Sequence, residues 1–209
     1  YNADSITVLE GEQVEVTLPV LKLKEVPLKF EFSNVPAGYD PAELNASISP
    51  ATIRIAGAAD TVDGIESVNA GFINLARVQL GKAETLKIQL SEGLVNVDDV
   101  QEATVTFDTS GYGEPRAITV SDIRVVNAPS GVDVKVITES INNVTLVGEA
   151  EELAAISPSD VIAQVDASAQ NITVKGSGQQ QFSAQIIVTG TKTVFATGAY
   201  SVLCDITVK

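Results

Sequence analysis

The stretch that decides the fold runs from Asn143 to Asp160 and reads NVTLVGEAEELAAISPSD. Its first residues alternate apolar and polar side chains, which is the two-residue period of a half-buried strand. Gly148 interrupts this alternation. Apolar residues then recur at every third position, which predicts one or two short helical turns: Ala150, Leu153 and Ile156. Pro158 ends the turn, and residues 161–166 predict another strand.

The chain contains this strand–glycine–turn–strand unit twice. In the earlier copy, which covers residues 52–75, Gly57 occupies the place of Gly148, 91 residues before it. Two apolar pairs repeat at the same spacing: Val62 with Leu153, and Ile65 with Ile156. Upstream, both copies carry an Asn-x-Pro-x-Gly turn, at 34–38 and at 127–131. Together these matches indicate a tandem duplication.

The duplication predicts two modules of about 100 residues in a chain of 209. The first module covers 1–110 and includes a β-hairpin and ribbon over 5–25. A segment rich in glycine and proline, 111–116, is the predicted linker, and the second module covers 117–209. Since no long amphipathic helix pattern occurs, the predicted fold class is all-β, with one or two short helical turns in each module.

The alternation also predicts the core. The first module is predicted to bury Ile53, Ile55, Val62 and Ile65. Their counterparts in the second module are Val144, Leu146, Leu153 and Ile156. Arg54 and Thr145 are predicted to face solvent, because each stands between two of these apolar residues. Loops are predicted over 94–100 and 175–178.

Composition excludes several classes of function. The net charge of −14 disfavours nucleic acid and direct docking on an anionic membrane surface. Hydrophobic residues make up 44% of the chain, yet no run approaches the ~18 apolar residues of a membrane span. The chain begins at Tyr1 without a Met or a signal peptide, so we expect a trimmed or mature fragment. The single cysteine, Cys204, excludes an internal disulfide framework and is predicted to be a buried, inert thiol.

The residue inventory predicts no catalytic, metal-binding or cofactor-binding residues. Without histidine, the chain lacks the usual general base and the commonest zinc ligand. The acidic pairs Glu151–Glu152 and Asp98–Asp99 are interpreted as solvated surface charge, since neighbouring side chains in a loop point apart. Residues 60–64 lack the ligand spacing of a calcium loop. The glycine pairs at 111–113 and 176–178 have no helix after them to receive a phosphate.

Both modules carry these motifs in the same order, and in this they resemble the YbbR-like domain family. The second module carries the resemblance through Asn127, Pro129, Gly131, Val144, Leu146, Gly148, Leu153, Ile156, Val165, Asp166 and Ser168. The first module matches through Asn34, Pro36, Gly38, Ile53, Ile55, Gly57, Val62 and Ile65. It departs from the family at residues 74–76, where an Asp-Leu-Ser-like triplet is replaced by Asn-Leu-Ala.

The resemblance implies tandem β domains outside the bacterial cell membrane, attached by an N-terminal helix that this sequence does not include. The resemblance also implies a relation to the C-terminal β domain of L25-type ribosomal proteins. Members of the family are similar to regulators of the membrane diadenylate cyclase, which makes cyclic di-AMP. The resemblance therefore implies a non-catalytic module that binds a protein partner, with no cofactor.

Two other classes of function stay open. A structural spacer or adhesin-like surface stalk would use the same tandem β modules simply as spacers. An enzyme would need converging carboxylates, which the sequence does not place together.

Overall fold

The computed structural model describes residues 20–208. Of the hairpin and ribbon predicted over 5–25, residues 5–19 therefore lie outside the described part of the chain. Residues 22–25 belong to the first described strand.

The first half of the described chain is built from short strands and a single-turn helix. These elements are β1 (Lys22–Ser33), β2 (Ala46–Ser49), β3 (Thr52–Gly57), α1 (Ala59–Asp63), β4 (Val68–Asn74), β5 (Glu84–Lys87), β6 (Val95–Asn96) and β7 (Glu102–Phe107). A 3-10 turn, Pro41–Glu43, precedes β2. The strands form one sheet in the order β4-β1-β3-β6 and a second in the order β2-β7-β5.

The second half repeats this plan with longer strands. Its elements are β8 (Arg116–Val120), β9 (Asp122–Val126), β10 (Val132–Val136), β11 (Ile141–Gly148), α2 (Ala150–Ala155), β12 (Val161–Asp166), β13 (Ser177–Val188), β14 (Val194–Thr197) and β15 (Tyr200–Val208). Two 3-10 turns lie at Pro158–Asp160 and Ala167–Ala169. The sheets have the orders β10-β15-β13-β12-β9 and β14-β11-β8.

The two halves share one topology. Strand β1 pairs antiparallel with β3 and parallel with β4. In the second half, β8 pairs antiparallel with β11, and β9 pairs parallel with β12. The pair β3–β6 matches β11–β14, and the three strands β2-β7-β5 match β10-β15-β13. The predicted all-β fold and the predicted repeat are therefore confirmed, while the domain boundaries at 110 and 117 stay predictions.

The glycine at the centre of each unit ends its strand, as predicted. Gly57 is the last residue of β3, and Gly148 is the last residue of β11. A Cβ atom on Gly148 would lie 2.4 Å from the carbonyl oxygen of Thr193. A Cβ atom on Gly57 would lie 2.9 Å from Cδ2 of Leu94. Both positions need glycine because another part of the chain approaches too closely for a side chain.

Each short helix is capped at its carboxyl end by a long cationic side chain. Nζ of Lys24 donates to the carbonyl oxygen of Ile65 at 2.6 Å. Nη1 of Arg116 donates to the carbonyl oxygens of Ile156 and Leu153 at 2.7 and 3.2 Å. The last carbonyls of a helix have no partner within the helix, so these bonds satisfy groups that would otherwise be left unpaired.

The predicted core is confirmed except at one position. Ile53, Ile55, Val62, Val144, Leu146, Leu153 and Ile156 are buried. Ile65 is only half-buried and packs at the margin of the first core, because the chain leaves α1 there. Arg54 is exposed as predicted, but Thr145 is half-buried because it stands between Ala117 and Thr197 on neighbouring strands.

Two predicted loops were wrong in part. Residues 94–100 include β6, because Val95 pairs with Ala56 at the edge of the first sheet. Residues 175–178 include the start of β13, because Ser177 and Gly178 pair with β15. Arg116, placed in the linker, is the first residue of β8.

Candidate functional site

Three of the four carboxylates weighed as catalytic candidates have separate structural partners. Glu152 accepts hydrogen bonds from the hydroxyls of Thr191 and Thr193, which hold the pKa of its carboxyl below its usual value. Asp98 is paired with Arg54, whose guanidinium lowers the pKa of that carboxyl. The side chain of Asp99 instead accepts from the amide of Gln101 at 2.8 Å. These hydrogen bonds direct the three carboxylates to different partners, so the bonds do not bring two of them together at one substrate position.

The remaining chemical candidates are structural too. Cys204 is buried as predicted, and burial raises the pKa of its thiol. Asp63 forms an ion pair with Lys22 at the end of α1. Within residues 20–208, no group of three or more metal-ligating side chains comes together. No helix in the same range has the length and hydropathy of a membrane span.

The two modules meet in a shared apolar cluster, which we call the junction. Its members are Tyr39, Leu44, Ile73, Leu75, Val78, Val105, Phe107, Val147 and Phe195. Val147 and Phe195 come from the second module, and the rings of Phe195 and Tyr39 lie 4.4 Å apart. The backbone N–H of Gly198 also donates to the carbonyl oxygen of Ala76 at 2.6 Å. The junction is thus closed by both apolar packing and a main-chain hydrogen bond.

Beside the junction lies a cleft of about 520 Å³ with walls from both modules. Asn34, Asn74 and Arg77 line one wall, and Gln164, Asp166 and Gln185 line the other. Asp166 is held in place by the hydroxyl of Ser168 at 2.7 Å and by the amide of Asn127 at 3.0 Å, and both bonds lower the pKa of its carboxyl. The cleft contains amides and opposite charges but no nucleophile with an adjacent base.

The first module carries an exposed apolar surface, which we call the outer face. Leu23, Ala56 and Val95 are cross-strand neighbours on β1, β3 and β6. Leu23 and Val95 are 54% and 51% exposed, and Leu21 and Val97 beside them are exposed as well. Large apolar side chains clustered on a surface mark a binding site more often than isolated ones do.

The opposite border of the same sheet is an open strand edge, the β4 edge. Among the strands of residues 20–208, β4 is hydrogen-bonded only to β1, and Phe72 on it is 61% exposed. Its counterpart β12 is hydrogen-bonded on both sides, by β9 and by β13. In the first module, β5 takes the place of β13 and lies beside β4, where a Cβ atom on Gly71 would be 3.7 Å from Cδ2 of Leu86, but the two strands form no ladder of hydrogen bonds.

Sequence reasoning located none of these four features: the junction, the cleft, the outer face and the β4 edge. The cleft and the junction depend on how the modules pack, which no local pattern records. The outer face was missed because Val95 fell within a predicted loop. The β4 edge was missed because alternation from the buried Val68 and Ala70 places Phe72 on the buried face, whereas the register of β4 against β1 shifts before Phe72 and leaves it exposed.

Residues 26–120 match the sequence model of the YbbR-like protein family. The chain contains a YbbR-like domain. This domain covers the first module and continues through β8. The second module lies beyond residue 120 for most of its length and shares its strand pairings with the first module.

Two solved structures are similar to this YbbR-like chain. A solution structure from Streptococcus thermophilus shares 19% identity, covers 44% of this chain and 89% of its own, and has a TM-score of 0.34. A crystal structure of a YbbR-like protein from Streptococcus pneumoniae shares 18% identity, covers 95% of this chain and 99% of its own, and has a TM-score of 0.31. No curated protein matched the sequence.

Proposed function

We propose that this chain acts without chemistry, as a tandem β module that binds a protein partner at the outer face of a bacterial membrane. The partner we propose is a membrane diadenylate cyclase, to which the YbbR-like resemblance points. The observation that carries protein binding is the open β4 edge with its exposed Phe72.

The second module supplies the geometry for this binding. There, Ala163 and Gln164 on β12 pair with Ile186 and Gln185 on β13. In the first module, β5 pairs with β7 and is not hydrogen-bonded to β4. A strand from the partner would bond the main-chain groups of β4 that β5 does not pair with, using main-chain hydrogen bonds for affinity and Phe72 as an apolar anchor.

The strength of such a contact is modest. Each main-chain hydrogen bond contributes about 1 kcal/mol net, and burial of a Phe side chain contributes about 2 kcal/mol. Anchoring both proteins in one membrane raises the effective concentration of the contact, so a weak affinity is sufficient. Cyclase output changes only if the module binds the active and inactive states of the enzyme differently.

The spacer function is the second candidate, and the junction favours it. Val147 and Phe195 are buried against the first module, so the two modules are packed rather than loosely tethered. A spacer needs this packing but does not need the open β4 edge or the exposed Phe72.

The test uses the full-length protein expressed together with the cyclase, with cyclic di-AMP as the readout. We expect Phe72→Lys to change cyclic di-AMP in the same direction as deletion of both modules, because the lysine removes the apolar anchor from an exposed position. Leu203→Lys is the matched control, since Leu203 is also exposed (38%) but lies on the second module. Unchanged output in Phe72→Lys and in the deletion, with no binding detected, would favour the spacer.

A further inference from the structure

The cleft between the modules carries one charge of each sign, and each charge comes from a different module. Arg77 lines the wall of the first module, and Asp166 lines the wall of the second. Within residues 20–208, neither side chain takes part in an ion pair, whereas Arg54 and Arg124 each pair with an aspartate. Asp166 is half-buried and is already fixed by two side-chain hydrogen bonds. The cleft therefore presents a cation and a fixed anion, both without a counter-ion from the described chain.

A difference between the two repeats leaves a polar group available on the wall of the first module. In the second module, the amide of Asn127 donates to the carboxylate of Asp166 at 3.0 Å. The equivalent residues of the first module are Asn34 and Asn74, and Asn74 instead accepts from the backbone N–H of Ala76 at 3.0 Å. The Asn34 side chain lines the cleft and has no hydrogen-bond partner among residues 20–208. Its amide can therefore donate to a bound molecule and accept from it.

The rest of the lining combines amides with small apolar surfaces. Gln164 and Gln185 line the wall of the second module. The Gln164 side chain has no hydrogen-bond partner in the described part of the chain, and Gln185 uses its amide nitrogen on the carbonyl oxygen of Val35 at 3.4 Å. The apolar part of the lining consists mainly of alanines, at 76, 169, 184, 196 and 199. Primary amides pair well with peptide groups, and alanine surfaces suit small aliphatic side chains.

We propose that the cleft binds a short zwitterionic peptide of small aliphatic residues, with its carboxylate on Arg77 and its ammonium group on Asp166. A guanidinium matches a carboxylate in geometry, and an ammonium group donates to a carboxylate. The net charge of −14 repels polyanions such as nucleotides, whereas a zwitterion carries no net charge. The volume of about 520 Å³ lies within the range of small-molecule sites, about 300–1,000 Å³, so the cleft suits a dipeptide or tripeptide.

The probe is the dipeptide Ala-Ala, titrated into the isotope-labelled full chain while amide resonances are followed by NMR. We expect saturable shifts at the backbone amide of Arg77 and at the side-chain amide of Gln164. Two blocked dipeptides separate the two ends, because acetylation removes the ammonium group and amidation removes the carboxylate. Each blocked form should bind about fivefold to tenfold more weakly than Ala-Ala, because one charge-assisted hydrogen bond is lost.

Two variants assign each end of the peptide to its residue. Arg77→Gln should weaken binding of Ala-Ala but leave binding of the amidated form unchanged, because that form has no carboxylate to lose. Asp166→Asn should weaken binding of Ala-Ala but leave binding of the acetylated form unchanged. Arg54→Gln is the matched control and should bind Ala-Ala as the wild type does, because Arg54 lies outside the cleft lining and is paired with Asp98.

The proposal is overturned if Ala-Ala shifts neither cleft residue, if the blocked forms bind as tightly as Ala-Ala, or if Arg54→Gln weakens binding as much as Arg77→Gln. Tighter binding of inorganic phosphate than of Ala-Ala would also overturn it, because Arg77 would then be a simple anion site. The cyclase proposal can fail without affecting these results, since Phe72 does not line the cleft.

Discussion

Strand β1 of the first module runs unbroken from Lys22 to Ser33, whereas the second module divides the same path between β8 and β9 at Ser121. Both arrangements keep the antiparallel partner and the parallel partner of that path. The pairings that enclose the core have thus been retained in both copies.

The surfaces have diverged much more than the cores. In the second module, β12 is flanked on both sides and Phe195 is buried. In the first module, β4 is an open edge and Val95 is exposed. Within residues 20–208, the first module therefore leaves exposed the strand edge and the apolar position that the second module covers.

The largest expected effect tests whether the two cores are equivalent. Leu146 and Ile55 occupy equivalent places and are each 0% exposed. Leu146→Ala and Ile55→Ala should each lower the free energy of unfolding by about 2–5 kcal/mol, because a large buried side chain leaves a cavity. Urea unfolding measures the loss. Leu203→Ala, at a 38% exposed position, is the control. A loss below about 0.5 kcal/mol at either core position would show that the faces of that strand are assigned wrongly.

A smaller effect separates the two central glycines. Gly148→Ala should lower the free energy of unfolding by about 1–3 kcal/mol, because the new Cβ atom meets backbone, the carbonyl oxygen of Thr193. Gly57→Ala should cost less, because the nearest atom is the end of the flexible Leu94 side chain. Thermal unfolding of the two variants gives the ranking. Equal losses would mean that the strand ends are packed alike in both modules.

The smallest effect concerns pH. Hydrogen bonds from Ser168 and Asn127 keep the pKa of Asp166 below its unfolded value, which is about 3.9. The group therefore stabilises the fold above that value, and this contribution is lost as the pH falls through the lowered pKa. We expect Asp166→Asn, which introduces the residue that the first module has at Asn74, to reduce the loss of stability in acid. Denaturant unfolding from about pH 6 to about pH 2 measures it.

The reverse change provides the control for the acid prediction. Asn74→Asp places a carboxylate at the equivalent site, where Ala76 offers only its backbone N–H. We expect a weaker pH dependence from this aspartate than from Asp166, which also receives the Ser168 hydroxyl. A stronger pH dependence from the aspartate at position 74 than from Asp166 would show that the Ser168 hydroxyl does not set the pKa of Asp166.

The sequence predicted those parts of the fold that local apolar periodicity determines. Strand β11, its terminal glycine and helix α2 followed from residues 143–156, and the strand predicted over 161–166 is β12, Val161–Asp166. Strand β6 was missed because it has two residues and its pairing with β3 is non-local.

The binding surfaces could not be predicted in the same way. Whether Val95 is covered depends on what stands against its sheet, and whether β4 is an edge depends on where β5 pairs. Only a comparison of the two modules in three dimensions shows which equivalent positions are covered by other residues and which are exposed.

The tyrosines at the junction give the chain a built-in optical reporter. The sequence contains four tyrosines and no tryptophan, so tyrosine dominates its near-ultraviolet absorption and emission. Tyr39 is packed against Phe195, Tyr112 packs against the same cluster, and burial raises the pKa of both hydroxyls. Alkaline difference spectra should therefore show a class of tyrosine that ionises at a higher pH while the modules are packed than after they separate, so their separation can be followed without any attached dye.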